Sequence, residues 1–123
     1  MSWRPGTETR LHASAVSGSD RLFVGEQWFE PGVSTPNARH APDVEEVISV
    51  LHGTAEVRVD DERQLVRAGQ SVIIPGGATH QIIAINEPLH VWFVLSASAP
   101  AVLMADGSET FLIGAGEPDG IDG

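Results

Sequence analysis

Gly69-Gln70-Ser71-Val72-Ile73-Ile74-Pro75-Gly76-Gly77-Ala78-Thr79-His80 is the stretch whose reading decides the fold. A glycine turn opens a short, largely apolar strand, and a Pro-Gly-Gly corner ends it, since proline cannot donate to a ladder and glycine accepts unusual backbone angles. A single histidine then starts the next strand, and Asn86 follows a few residues on. Such a corner aims one imidazole inward from a fixed position. Upstream, Pro31-Gly32, His40, Glu45-Glu46 and Gly53 are arranged so that they could supply further ligands of a metal, provided the two segments meet.

Working outward from that corner, the chain reads as strands and turns. Candidate strands are Arg21–Glu30, Glu46–Leu51, Thr54–Val59, Gln64–Arg67, Ser71–Ile74, His80–Ile85, Leu89–Ser96 and Thr110–Ile113. Turn residues separate them at Pro31-Gly32, His52-Gly53, Asp60-Asp61, Ala68-Gly69 and Asn86-Glu87-Pro88. Helical periodicity is absent, and 13 glycines and 8 prolines leave little room for long helices. Many short strands with regularly spaced turns predict an all-β sandwich or barrel.

Two strands carry the period-two alternation of a half-buried sheet. In Ala55-Glu56-Val57-Arg58-Val59 the charged residues share one face and the apolar residues the other. In Glu46–Leu51 the carboxylate shares its face with Ile48 and Val50. If that face lines the barrel, Glu46 is an inward charge, costly unless paired, and a metal would remove the cost.

Composition narrows the chemistry. A chain of 123 residues is read as one domain. No apolar run is long enough for a membrane helix and no signal-peptide core is evident, so the cytoplasm is the expected compartment. A net charge of −10 argues against nucleic acid or an anionic membrane as partner. There is no cysteine, lysine or tyrosine, which removes thiolate, Schiff-base and phenolic chemistry. Ser71 lacks the glycine that would complete a nucleophile elbow. Catalysis must rest on histidine, carboxylate, arginine, backbone or a metal.

These residues resemble the cupin superfamily, small double-stranded β-helices that carry two motifs. The second motif, G-x5-P-x-G-x2-H-x3-N, is matched by Gly69, Pro75, Gly77 and His80, with Asn86 two residues later than the motif places it. The first, G-x5-H-x-H-x3/4-E-x6-G, is matched by Gly32, His40, Glu46 and Gly53. Its first histidine falls on Ala38, and one extra residue lies between His40 and Glu46. In one alignment Ala38 replaces that histidine, with an insertion near Ala41-Pro42-Asp43. In the other, His40 is the first histidine and Pro42 stands for the second. The position of Thr35-Pro36 favours the first. The resemblance covers roughly residues 21 to 96.

The resemblance implies an all-β double-stranded β-helix, a cupin or jelly-roll barrel, over residues 21–113. Residues 1–20 are then an N-terminal arm or edge strand, and 114–123 a flexible tail. It implies a divalent metal ion (Fe, Mn, Ni, Co or Zn) held by His40, Glu46 and His80. Two imidazoles and a carboxylate form a facial set that leaves positions open for a small molecule. Glu46 and His80 are the catalytic candidates. The expected activity is that of a metal-dependent enzyme of oxygenase, isomerase or cyclase/dehydratase type acting on a small organic molecule. The alternatives are a non-catalytic small-molecule-binding module and a structural dimer with a filled cavity. A homodimer through sheet edges and the N-terminal arm is expected, because open edges need covering.

Blander readings stand beside these. His80 could cap its corner by hydrogen bonding, His40 could be exposed, and Glu45 reads as a solvated carboxylate. His52 reads as solvent-facing. His90, on the face of Trp92 and Val94, could line the barrel or be a satisfied core histidine; a role for His12 is speculative. Trp28, Phe29, Trp92 and Phe93 read as core or interface, with one of each pair available to the cavity. Arg39 could pair with an anionic substrate or simply be solvated.

Overall fold

The polarity pattern of the sequence is realised as eleven strands among residues 6–111, the residues described by a computed structural model. They are β1 (Thr7–Ala13), β2 (Phe23–Phe29), β3 (Ala38–Arg39), β4 (Glu46–His52), β5 (Thr54–Val59) and β6 (Glu62–Arg67). The chain continues through β7 (Ser71–Ile74), β8 (His80–Ala84), β9 (Leu89–Leu95), β10 (Ala101–Met104) and β11 (Glu109–Phe111). All pairings are antiparallel, in a five-stranded sheet of order β1-β2-β9-β4-β7 and a six-stranded sheet of order β11-β10-β3-β8-β5-β6. No described residue is helical, and the two sheets form a jelly-roll.

Alternation decides what fills the space between the sheets. In β9, Leu89, Val91, Phe93 and Leu95 are buried while His90, Trp92 and Val94 are half-exposed. In β4, Glu46, Ile48 and Val50 point inward together, which puts one carboxylate on an otherwise apolar face. Each fully buried Leu, Ile, Val or Phe contributes about 1.5–3 kcal/mol, so this parity is strongly fixed. In β5 the charged residues face out, where Arg58 Nε lies 2.7 Å from Glu56 Oε2.

Several boundaries differ from the sequence reading. β2 begins at Phe23, not Arg21, because Leu22 is exposed ahead of the first buried position. β6 begins at Glu62, which pairs with Val59 to close the hairpin. β3 and β10 were not expected. β3 is only two residues long and exists through its pairing with β8 and β10. β10 is an unbroken apolar run without alternating polarity, so it gives no strand signal of its own. β11 takes the place of the expected strand Thr110–Ile113. Leu112, Ile113 and the tail 114–123 lie outside the described residues.

Two close approaches bring the motif segments together. Any Cβ on Gly76 would run into the carbonyl oxygen of Pro42, so only glycine lets the corner before His80 pack on the loop after His40. Gly53 turns β4 into β5 at φ 86°, and a Cβ there would collide with the Pro88 carbonyl. The start of β4 is pinned to the end of β9: Glu45 N–H donates to Ser96 Oγ (2.9 Å), and Ser96 N–H donates to the Glu45 carbonyl (3.0 Å). Glu46 is the next residue.

Candidate metal centre

The three chemical residues arrive from both sheets. Ala38 and His40 are buried and Arg39 between them is exposed, so β3 and its extension send His40 inward. His80 opens β8 directly after the Pro-Gly-Gly corner, and its backbone is the register partner of Ala38. Glu46 opens β4 on the facing sheet. The relative exposures of His40, Glu46 and His80 are 3%, 1% and 3%. Their donor atoms lie within 4.8 Å of one another, and among the described residues this group of three can hold a metal ion.

The hydrogen bonds behind the imidazoles fix their tautomers. His40 Nδ1 lies 2.8 Å from the Ala101 carbonyl oxygen, and His80 Nδ1 lies 3.2 Å from that of Ala78. A carbonyl only accepts, so each Nδ1 carries the proton and donates it. In a neutral imidazole Nε2 then presents a lone pair. These Nε2 atoms stand 3.3 Å (His40) and 3.1 Å (His80) from the same atom, Glu46 Oε1. Lone pairs facing a carboxylate at this distance repel unless a proton or a cation lies between them.

The surroundings sharpen that requirement. His40 Nε2 and both carboxylate oxygens of Glu46 are buried without a hydrogen-bond partner. The ion-pair distances are short, but the angles are not those of hydrogen bonds. Burial by itself would push the Glu46 carboxyl up; His40 and His80 beside it outweigh that and hold it at about 2. Burial would likewise lower His80, but Glu46 raises it above its ordinary value. Two donors each about 2.1 Å from one cation at near-right angles are about 3 Å apart. The observed spacings of 3.1 and 3.3 Å match that arrangement, so the residues fit a divalent ion.

Other expected residues fall elsewhere. Ala38 is the buried register neighbour of His80, while Pro42 is exposed. Glu45 and His52 are exposed. Asn86 adopts φ 59° in the turn after β8, a backbone conformation that asparagine tolerates well. Phe29 and Phe93 enter the core, whereas Trp28 and Trp92 lie on the outer face of the five-stranded sheet.

His90 lies on that same outer face, neither lining the barrel nor in the core. With His12 it forms a cluster that sequence reasoning missed. Glu26 Oε2 takes His12 Nε2 at 2.8 Å and Glu26 Oε1 takes His90 Nε2 at 3.0 Å. His12 stacks on Trp92 and His90 on Trp28, each with centroids 4.5 Å apart. The His12 hydrogen bond is the main influence holding the Glu26 carboxyl below its usual range. The signal available was parity: with Phe29 and Phe93 inward, Glu26, His90 and Trp92 must share the outer face. The Ala101 carbonyl behind His40 had no such signal, because β10 itself was unforeseen.

Fold and site together define a two-sheet antiparallel β-barrel with a buried imidazole–carboxylate donor set. The family described as "Cupin domain" matches residues 25–95, more than half of the chain, and the protein belongs to that family. No curated protein matches it. Among solved structures, it is similar to a cupin 2 domain-containing protein from Halorhodospira halophila, with 28% identity and TM-score 0.67 over 83% of this chain and 73% of that one. KdgF from Halomonas sp. shares 18% identity at TM-score 0.66, over 76% of this chain and 81% of that one. Recombinant oxalate oxidase in complex with glycolate shares 19% identity at TM-score 0.72, over 82% of this chain but only 56% of the oxidase. The last two likenesses show the fold alone.

Proposed function

We propose that the protein is a metal-dependent cupin enzyme that transforms a small organic molecule at His40, Glu46 and His80. One observation carries the reading: three buried polar atoms without hydrogen-bond partners belong to a cluster whose imidazole lone pairs converge on one carboxylate oxygen. A bound Fe, Mn, Ni, Co or Zn ion would supply Lewis acidity toward a carbonyl or enolate oxygen, or redox chemistry if it is iron or manganese. The chain itself orients His40 through Ala101 and His80 through Ala78. The Glu46 carboxylate, whose Oε1 faces both imidazoles and whose Oε2 has no hydrogen-bond partner, takes or returns a proton, with His80 beside it. Oxygenation, isomerisation and cyclisation with dehydration are the reactions such a site serves. The setting we propose is the cytoplasm.

Metal analysis of untagged protein tests this. About one equivalent of divalent metal in the wild type, lost in His80→Ala, supports it; metal-free wild type, or metal retained in the variant, overturns it. The near-complete burial of the three residues favours a second reading, a binding cupin whose barrel holds a ligand without turning it over. Retained ligand binding in metal-free protein distinguishes it. The assembly we propose is a homodimer, supported by the position of β7 at the edge of the five-stranded sheet among the described residues and by the half-exposed Trp28 and Trp92 on that sheet's outer face. A monomer mass in light scattering at micromolar concentration overturns that part.

A further inference from the structure

Register sorts the outward residues of the five-stranded sheet into rows. Val24, Val94, Val47 and Ile73 are successive cross-strand partners on β2, β9, β4 and β7, so one apolar row crosses four strands. Beside it run Glu26, Trp92, Ser49 and Ser71, and in the next row Trp28 pairs with His90. Ile73 is 63% exposed, and Leu51 on the same face is exposed as well. An apolar row left in water costs free energy that a covering surface recovers.

The polar groups among these rows already satisfy one another. Ser49 Oγ and Ser71 Oγ lie 2.7 Å apart. Each oxygen of Glu26 has its own imidazole, His12 at 2.8 Å and His90 at 3.0 Å, and Trp92 and Trp28 hold those rings flat by stacking. Across β2, β9, β4 and β7 the outward positions hold one carboxylate, Glu26, and no arginine. Glu8 and Arg10 lie to one side on β1, Arg10 over the Trp28 ring at 5.7 Å. Such a face can be covered without leaving a polar group unmet.

Charge and size select the partner. A chain of net charge −10 repels its own copies over most of its surface, and this face offers them the least opposition. Five strands about 4.8 Å apart, up to seven residues long at about 3.3 Å each, make a footprint of about 400 Å². Interdigitating side chains raise that toward the roughly 800 Å² per partner of a standard interface. A two-fold axis through the face sets the apolar row against its own copy, in the aligned packing of twisted sheets.

We propose that this outer face is the self-association surface, packing sheet on sheet through Val24, Val47, Ile73, Trp92 and Val94, with the His12–Glu26–His90 cluster covered by the second copy. The surface rests on the homodimer reading and places its contact on the sheet face instead of the β7 edge.

Sedimentation velocity of the full chain over a dilution series tests it. Ile73→Asp and Ser49→Asp, which bring a charge to the face, should each weaken the dimer at least about tenfold. Leu65 is 50% exposed on the outer face of the other sheet, and Leu65→Asp should leave the dimer unchanged. His12→Ala strips one donor from Glu26 and should weaken the dimer about fivefold or more. An unchanged dimer in His12→Ala overturns the part given to the cluster. A dimer indifferent to both Ile73→Asp and Ser49→Asp defeats this surface and leaves the homodimer standing, whereas a wild-type monomer at micromolar concentration defeats both. Binding of a monomer to phosphatidylcholine vesicles, lost in Ile73→Asp, would give the face to a lipid surface and overturn the proposal.

Discussion

His80 Nε2 lies 3.1 Å from Glu46 Oε1, although the imidazole belongs to one sheet and the carboxylate to the other. The contact therefore spans the barrel. It is held from behind at both ends, by the Pro75–Gly77 corner under His80 and the Ser96 clamp on Glu45. Neither end can withdraw without disturbing a sheet, so the donors stay together even though their lone pairs converge. That arrangement is suited to a cation and is awkward without one.

Replacing the charge but not the shape isolates this effect. Glu46→Gln keeps the volume of a residue 1% exposed and removes the only carboxylate of the set. Metal affinity, measured by competition with a chelator, should fall by at least about 100-fold. The thermal midpoint of the variant should no longer respond to added metal. An affinity within about tenfold of wild type would mean that the carboxylate is not a ligand.

The metal-free protein should be most stable in weakly acidic solution. The Glu46 carboxyl, raised by burial but lowered more by His40 and His80, sits at about 2 against an ordinary 4.5. Its stabilisation is complete above 4.5 and is lost as pH falls from 4.5 toward 2. His80 has the opposite sign: burial lowers it, Glu46 raises it further, and the net value lies above 6.5. Its stabilisation is complete below 6.5 and disappears as pH rises through the elevated value. Urea midpoints of metal-free protein should decline on both sides of the interval from 4.5 to 6.5. Metal reverses the alkaline limb, because ligation needs deprotonated imidazoles. A metal-free midpoint that climbs steadily through neutral into alkaline pH would contradict this account.

Ala38 offers the converse experiment. Its side chain points inward beside His80, at the place where the family pattern has a further histidine. Ala38→His should add a donor and strengthen metal binding by about tenfold or more. Weaker metal binding in this variant would show that the space beside His80 cannot take an imidazole.

Much of this was legible in the chain because it rests on parity and corners. The Gly69–His80 stretch specified a strand, a tight corner and an inward histidine, and β7, β8 and His80 follow it. The alternation in Glu46–Leu51 placed Glu46 on the buried face before any contact was known. What escaped depends on pairing partners far along the chain. β3 has two residues and no pattern, and β10 is apolar throughout, so neither can be told from loop by local periodicity. The Glu26 cluster escaped for a related reason. His12, Glu26 and His90 come from three strands, and only the register Arg10↔Glu26↔Trp92 brings them together.

The approach of Gly76 to Pro42 is the last lever on the site. A methyl group at Gly76 meets the Pro42 carbonyl oxygen, so Gly76→Ala must move the corner, the loop after His40, or both. Overpacking of this kind costs about 1–3 kcal/mol. Because the corner carries His80 and the loop follows His40, the displacement should also spread the donors and weaken metal binding. Gly69→Ala is the matched control. Its φ of 88° makes any side chain strained, but no atom lies within 4 Å of the added carbon and it is remote from the donors in the chain. Both variants should lose stability in chemical denaturation, and only Gly76→Ala should lose metal affinity beyond what its unfolding explains. Equal losses of metal affinity in the two would mean that the corner's contact with Pro42 does not set the geometry of His40 and His80.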